Sequence, residues 1–143
     1  MSTIQGDRPN DFATVMHALD EATQRFVDRD PSALKALFSH RDDVTIAGGL
    51  GGIDIGWHAV GPRLDRVSAQ YEPARFSAER VAVHRDGDLA VVVQRERFHW
   101  TATSDRGPAA KEYRATIVLR QEDGAWRVVH RHADGLAEDR STQ

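Results

Sequence analysis

The sequence predicts an α+β fold, in which helices from the first half of the chain pack against a mostly antiparallel sheet built by the second half. Apolar residues recur at helical spacing in three segments before residue 72. Alternating or valine-rich runs, separated by glycine-containing turns, fill the chain from residue 79 onward. Helices followed by strands are typical of α+β domains. The length of 143 residues suits one domain, so we expect a single domain over 1–143 with an ordered core at about 11–136.

Three helices are predicted from the spacing of the apolar residues. The first extends from about Asp11 to Arg29, where apolar side chains repeat every three or four positions. Asp30 followed by Pro31 is typical of the start of a second, short helix. The third is predicted from Trp57 to Tyr71, with Pro62 in one of its first two turns.

Strands are predicted where β-branched and aromatic residues lie between turn signals. A short pair is expected on either side of a glycine turn, at Val44–Ala47 and Ile53–Ile55. The later strands are expected at Glu79–His84, Leu89–Thr101, Glu112–Arg120 and Ala125–Ala133. Gly124, between the last two, allows the positive φ that a tight turn requires.

Composition and charge exclude several classes of function. The chain has 19 basic and 22 acidic side chains and a net charge of −3, so it lacks the positive field that attracts nucleic acid or an anionic membrane surface. Cysteine is absent, which excludes disulfides, thiolate metal sites and cysteine nucleophiles. The first ten residues are polar, and neither a long apolar stretch nor a nucleotide-binding fingerprint follows. We therefore expect a cytoplasmic protein that uses no cofactor and has no nucleic-acid or membrane partner.

Three stretches of the sequence carry a resemblance to a known family. They are Gly51–Trp57, Gly87–Ala90 with Glu96 and Arg97 after it, and Arg114–Thr116 continued by Asp123–Asp134. In that order and spacing they resemble the SnoaL-like or ketosteroid-isomerase-like proteins of the nuclear transport factor 2-like superfamily. The last stretch is also similar to the end of the association domain of calmodulin-dependent kinase. The resemblance covers nearly the whole chain, from Phe12 to Leu136.

This resemblance implies a cone-shaped, cystatin-like fold, in which three N-terminal helices pack on a curved, mostly antiparallel sheet around a small pocket. It also implies a homodimer formed through the outer face of the sheet. Its functional implication is broad, because one fold hosts unrelated chemistries. The chain would be a cofactor-independent isomerase, cyclase, dehydratase or hydrolase acting on a small molecule, or else a non-catalytic module for ligand binding or oligomerisation.

The catalytic residues of ketosteroid isomerases do not carry over to this sequence. Those enzymes use a tyrosine on the first helix, an aspartate base after the first strand and a protonated aspartate late in the sheet. The corresponding positions here hold Ala22, Ala47 or Gly48, and an apolar or threonine residue near Thr116–Val118. Isomerisation of a ring ketone by that machinery is therefore disfavoured.

The last two strands contain the largest group of candidate functional residues. If a three-residue turn joins them, cross-strand counting sets Thr116 opposite His130 and Arg114 opposite His132. The four side chains would then share one face, with His130 as a candidate acid or base and the other three as ligand-binding residues. A two-residue turn would pair Thr116 with Arg131 instead and break up the quartet.

The same hairpin has an alternative interpretation of equal weight. If its opposite face packs on the helices, the quartet points outward into a dimer interface. The pocket would then be lined by Arg131, Glu96 and Trp100 together with the helices. Glu96 and Arg131 would form a partly buried ion pair, with Glu96 as a candidate acid or base whose pKa burial and the arginine would tune.

Two further residues are candidates for the site, and the two histidines have a second interpretation. Trp57 either caps the mouth of the pocket or anchors the core, and Asp54 is a candidate base, although a turn aspartate is usually solvated. His130 and His132 point the same way on a strand, as two metal ligands would, but two ligands do not make a site. We therefore predict no metal.

Overall fold

In the residues that the computed structural model describes, which are 11–48, 51–100 and 110–135, three helices and six strands follow one another in the predicted order. The helices are α1 Phe12–Val27, α2 Ser32–Leu37 and α3 Trp57–Ala69. The strands are β1 Thr45–Gly48, β2 Ile53–Ile55, β3 Ala74–Asp86, β4 Leu89–Trp100, β5 Ala110–Glu122 and β6 Ala125–Gly135. The predicted α+β class is confirmed. Thr101 and Leu136, at the ends of a predicted strand and of the predicted core, lie outside the described residues.

The strands form one curved sheet in the order β2-β1-β6-β5-β4-β3. Every neighbouring pair is antiparallel except β1 and β6, which run parallel. This parallel pair sets the short β1–β2 hairpin from the first half of the chain beside the last strand. The helices cover one face of the sheet, and their apolar sides form the core with it.

Several predicted boundaries differ from the structure, and two of the differences have a visible physical cause. Helix α1 ends at Val27 rather than Arg29, because Arg29 takes a φ of 72°, which no α-helix contains. Strand β3 begins at Ala74 rather than Glu79. The Gln24 side chain on α1 donates to the Ala74 carbonyl at 2.9 Å and accepts from the Phe76 amide at 2.8 Å, so a tertiary contact fixes this extension.

The turn between β5 and β6 has two residues, which is the second of the two alternatives considered for it. Asp123 and Gly124 have φ values of 54° and 83°, the left-handed conformations that a tight two-residue hairpin turn requires at both positions. Glu122 consequently pairs with Ala125.

A bulge then shifts the register by one residue after Leu119 has paired with Val128. Beyond it, Thr116 pairs with His132 and Arg114 with Asp134, so both pairings predicted for Thr116 are wrong. The extra residue in the bulge moves the pairing by one position. Side chains beyond it therefore alternate as they would after a three-residue turn, and Arg114, Thr116, His130 and His132 still share one face. That face is the outer one, whereas Ile117, Arg131 and Ala133 face the helices.

We expect the end of β1 to tolerate only glycine. Gly48 has a φ of 87°, and an added Cβ would come closer to the Ala133 carbonyl oxygen than van der Waals contact allows. Gly48→Ala should lower the free energy of unfolding by about 3 kcal/mol or more, from backbone strain and steric overlap together.

Gly51→Ala is the matched control for this prediction. Gly51 also has a positive φ, of 96°, but no atom lies within 4 Å of its hypothetical Cβ, so only the strain of about 1–2 kcal/mol applies. Urea unfolding of both variants checks the prediction, and equal losses would contradict it.

Candidate functional site

A cavity of about 420 Å³ lies between the helices and the inner face of the sheet. Its walls are mostly apolar and come from α1, α2, α3 and the inner faces of β4, β5 and β6. The apolar side chains include Leu19, Phe26, Leu34, Phe38, Leu64, Val67, Phe98 and Ile117. A cavity of this size and character is typical of small-molecule sites in proteins.

An ion pair lies on the sheet side of the cavity. Glu96 on β4 and Arg131 on β6 reach towards each other across β5, where Ala115 leaves room for them. The contact is bidentate, with Nη1 of Arg131 2.7 Å from Oε2 and Nη2 2.5 Å from Oε1 of Glu96. Glu96 is only 1% exposed, so its charge depends on this partner.

Gln94 completes the surroundings of the carboxylate. Its Nε2 donates to Oε2 of Glu96 at 2.6 Å. Burial alone would raise the pKa of Glu96, but the Arg131 charge and the hydrogen bonds from Arg131 and Gln94 outweigh it and hold this pKa below its ordinary value. Glu96 is therefore a carboxylate at neutral pH, able to accept hydrogen bonds but unable to donate a proton.

Two tyrosines border the cavity beside this pair. Tyr71 follows α3 and Tyr113 lies on β5 directly across from Glu96. Phe98 separates their rings, stacked against Tyr71 at 5.9 Å and edge-on to Tyr113 at 5.3 Å. Burial raises the pKa of Tyr71 to about 12, so its hydroxyl stays protonated and can donate a hydrogen bond at any physiological pH.

Arg63 on α3 ties the β1–β2 hairpin to the rim of the cavity. Its guanidinium lies 3.3 Å from Oδ2 of Asp54 and donates to the Gly48 carbonyl at 3.0 Å. The Arg63 side chain is 10% exposed and that of Asp54 32% exposed. Asp54, predicted as a candidate base, is thus held in an ion pair.

The predicted quartet lies on the outer face of the sheet, away from the cavity. Oγ1 of Thr45 lies 2.7 Å from Nδ1 of His130, and His132 lies 3.1 Å from Asp134. Partial burial and the nearby charge of His132 lower the pKa of His130. The structure therefore has the alternative arrangement, with Glu96 and Arg131 inside and the quartet outside.

The two predicted tryptophans also lie outside the set of residues that border the cavity. Trp57 stacks on His40, with ring centroids 3.9 Å apart, which fits its interpretation as a packing residue. Trp100, at the end of β4, is half-buried against the core. Their roles in binding stay predictions.

Sequence analysis did not single out several polar residues that border the cavity, among them Tyr71, Gln94 and Arg63. Gln94 carried a usable signal. Gln94 alternates with the buried Val92 and Phe98, so the period of two already placed it on the same face as Glu96. Tyr71 and Arg63 gave none, because the sequence of a helix and of the residues after it does not reveal which strands they meet.

Within the described ranges, no group of three or more histidine, aspartate or glutamate side chains is arranged to hold a metal ion. Over the same ranges, no helix has the length and apolar character needed to cross a membrane.

We expect the contribution of Glu96 to stability to disappear in acid. Because the pKa of Glu96 is lower in the folded chain than its ordinary value of 4.5, the unfolded chain binds this proton more readily. The stabilisation that Glu96 contributes is therefore fully present above pH 4.5, and it is lost as the pH falls through the folded-state pKa of Glu96. Glu96→Gln should be clearly less stable than the parent at pH 7, and the difference should shrink below pH 4.5.

Urea unfolding between pH 7 and pH 3 measures this difference. Glu79→Gln is the control, because its pair with Arg95 at 3.1 Å is exposed and contributes only about 0–1 kcal/mol. If the free energies of unfolding of Glu96→Gln and the parent differed by the same amount down to pH 3, the prediction would be contradicted.

Comparison with known proteins supports the fold described above. The family model of the SnoaL-like domain matches residues 15–134. No curated protein matches the sequence. The fold is similar to that of a protein from Thiobacillus denitrificans named as a candidate calcium/calmodulin-dependent protein kinase type II association domain, with a TM-score of 0.74, 21% identity, and coverage of 88% of this chain and 95% of that one.

Two further solved structures share the fold. An NTF-2 like protein of unknown function from Shewanella oneidensis has a TM-score of 0.66 and 13% identity over 85% of this chain and 94% of its own. A ketosteroid isomerase-like protein from Erwinia carotovora has a TM-score of 0.64 and 18% identity over 92% of this chain and 99% of its own. At these identities the similarity shows the fold alone. The match over residues 15–134 establishes that the chain belongs to the SnoaL-like domain family, with the nuclear transport factor 2-like fold.

Proposed function

We propose that the cavity binds a small, largely apolar molecule through an oxygen that accepts hydrogen bonds. The observation that carries this proposal is the contrast between apolar walls and a polar end that offers N–H and O–H donors. Apolar walls contribute affinity through burial, and a few placed polar groups fix the orientation of the ligand.

The donors come from Arg131 and the two tyrosines. A guanidinium has five N–H donors, and the bidentate contact with Glu96 uses one on each of Nη1 and Nη2. The Arg131 side chain is 26% exposed and borders the cavity. Among the described residues, no hydrogen bond involves the hydroxyl of Tyr71 or Tyr113, so both are available to a ligand.

The chemistry of these groups favours binding over acid–base catalysis. All seven histidines lie in the described ranges, and none borders the cavity. Glu96 stays ionised and Tyr71 stays protonated near neutral pH. A group that exchanges protons at pH 7 needs a pKa close to that value, and neither has one.

Filling the cavity should weaken binding. Ala133 on β6 borders the cavity and is 8% exposed, so Ala133→Leu places three more carbons inside it. Deoxybenzoin and diphenylacetic acid, which present a ketone and a carboxylate on similar apolar frames, serve as probes. We expect calorimetry to give dissociation constants on the order of 0.1–1 mM for at least one of them, and binding at least tenfold weaker in Ala133→Leu.

His132→Gln is the control, because His132 is the adjacent residue on the opposite face. Circular dichroism verifies that both variants fold. Equal binding by Ala133→Leu and the parent would contradict the proposal.

We also propose that two copies associate through the outer face of the sheet. Two rows of uncharged or histidine side chains cross all six strands there. The first row is Ile55, Thr45, His130, Val118, Val91 and His84, and the second is Ile53, Ala47, His132, Thr116, Val93 and Ala82. Ile53 and Ile55 are 67% and 60% exposed in the single chain. A broad apolar surface of this kind is typical of an interface.

Val118→Glu should convert the dimer to a monomer, because it would bury one carboxylate per copy near the centre of the first row. Ala13→Glu, on the exposed side of α1, is the control. Light scattering after size-exclusion chromatography distinguishes the two states. A parent chain that is monomeric at 100 μM, or a dimeric Val118→Glu variant, would rule out this interface.

A further inference from the structure

One buried acceptor in the cavity wall has no partner. Gln94 is 3% exposed and borders the cavity, and Oε1 of its amide lacks a hydrogen bond among the described residues. No other buried side-chain nitrogen or oxygen in the described ranges is left in this state. A buried acceptor without a donor is destabilising, so an atom of this kind needs an explanation.

Turning the amide over cannot satisfy this atom. Nε2 of Gln94 donates to Oε2 of Glu96 at 2.6 Å, and Glu96 is ionised. With the amide reversed, two acceptor oxygens would face each other at that distance. The ion pair therefore fixes which end of the amide is left free.

The polar side chains that α1 contributes to the same cavity are engaged elsewhere. The hydroxyl of Thr23 donates to the Leu19 carbonyl at 2.8 Å. Oδ2 of Asp20 accepts from Arg80 at 3.0 Å. Neither supplies a donor to Gln94.

We infer that the molecule bound in this cavity carries a hydrogen-bond donor for Oε1 of Gln94 next to its acceptor oxygen, as an α-hydroxy ketone or an α-hydroxy acid does. This inference rests on the proposed binding function. We expect the two groups to be neighbours in the ligand, because Nε2 of Gln94 at 2.6 Å and Nη1 of Arg131 at 2.7 Å contact the same atom, Oε2 of Glu96. The amide of Gln94 and the guanidinium of Arg131 thus lie side by side around one carboxylate oxygen.

Four compounds test the inference in two matched pairs. Benzoin and deoxybenzoin differ by a hydroxyl beside a ketone, and benzilic acid and diphenylacetic acid by a hydroxyl beside a carboxylate. In the parent chain we expect at least one hydroxylated member to bind about five- to hundredfold more tightly than its partner. Both enantiomers of benzoin are measured, because the site is chiral. The pair that shows the preference identifies the ketone or the acid as the acceptor.

Gln94→Met removes the acceptor at nearly constant side-chain volume and should reduce the preference to less than twofold. Gln121→Met, the same substitution on β5 at a residue that does not border the cavity, should keep it. If Gln94→Met does not fold by circular dichroism, the parent chain alone decides the question through the matched pairs.

The outcomes separate the two proposals. If the unhydroxylated members bind and the hydroxyl adds nothing in either pair, or if Gln94→Met keeps the preference, the inference is overturned while ligand binding stands. If none of the four compounds binds the parent chain at millimolar concentration, both proposals fail.

Discussion

A carboxylate on the buried inner face of a sheet needs a partner, and the contact between Glu96 and Arg131 provides it. Both charges lie on the inner face among apolar side chains, where an isolated ion would be strongly destabilising. The bidentate geometry restricts the guanidinium to one orientation, and Gln94 holds the carboxylate from the other side. This contact joins β4 and β6 across β5 and holds the polar groups on this side of the cavity together.

The bulge in β6 determines that Arg131 faces this carboxylate. In a regular hairpin with the observed two-residue turn, the alternation beyond Val128 would be reversed, and His130 and His132 would face the helices instead. One extra residue sends both histidines to the outer face and turns Arg131 inward. The parallel pairing of β1 with β6 fits this arrangement, since it sets Thr45 beside His130, where their side chains are in hydrogen-bonding contact.

Local patterns in the sequence predicted the elements, and long-range contacts decided the site. The helices and most strands follow from periods of 3.6 and 2, which depend on each segment alone. The register of the last hairpin does not follow from these periods, because the position of a bulge depends on which residues pack against each face of the strand. The alternation of side chains along the strands gave two alternatives for the pocket, and in one of them Glu96 and Arg131 lie together inside it. Only the packing of the sheet against the helices decides which alternative is found. Tyr71 borders the cavity because of the place where α3 ends above the sheet. No local pattern in the sequence predicts that place.

The cavity itself follows from the sizes of the side chains along one face. Towards the β5–β6 turn, Leu119 and Trp126 fill the space under α1, and Phe12 packs edge-on against Trp126 at 5.2 Å.

At the other end of the same two strands, the inner positions hold Ala115, Ala133 and Gly135. Side chains this small leave unfilled space above the backbone. The long side chains of Glu96 and Arg131 occupy only the part of this space that lies next to the sheet. The same two strands thus pack the core at one end and leave a hollow at the other. Substitution of the small residues could change the shape of the site without altering the hydrogen bonds that define the fold.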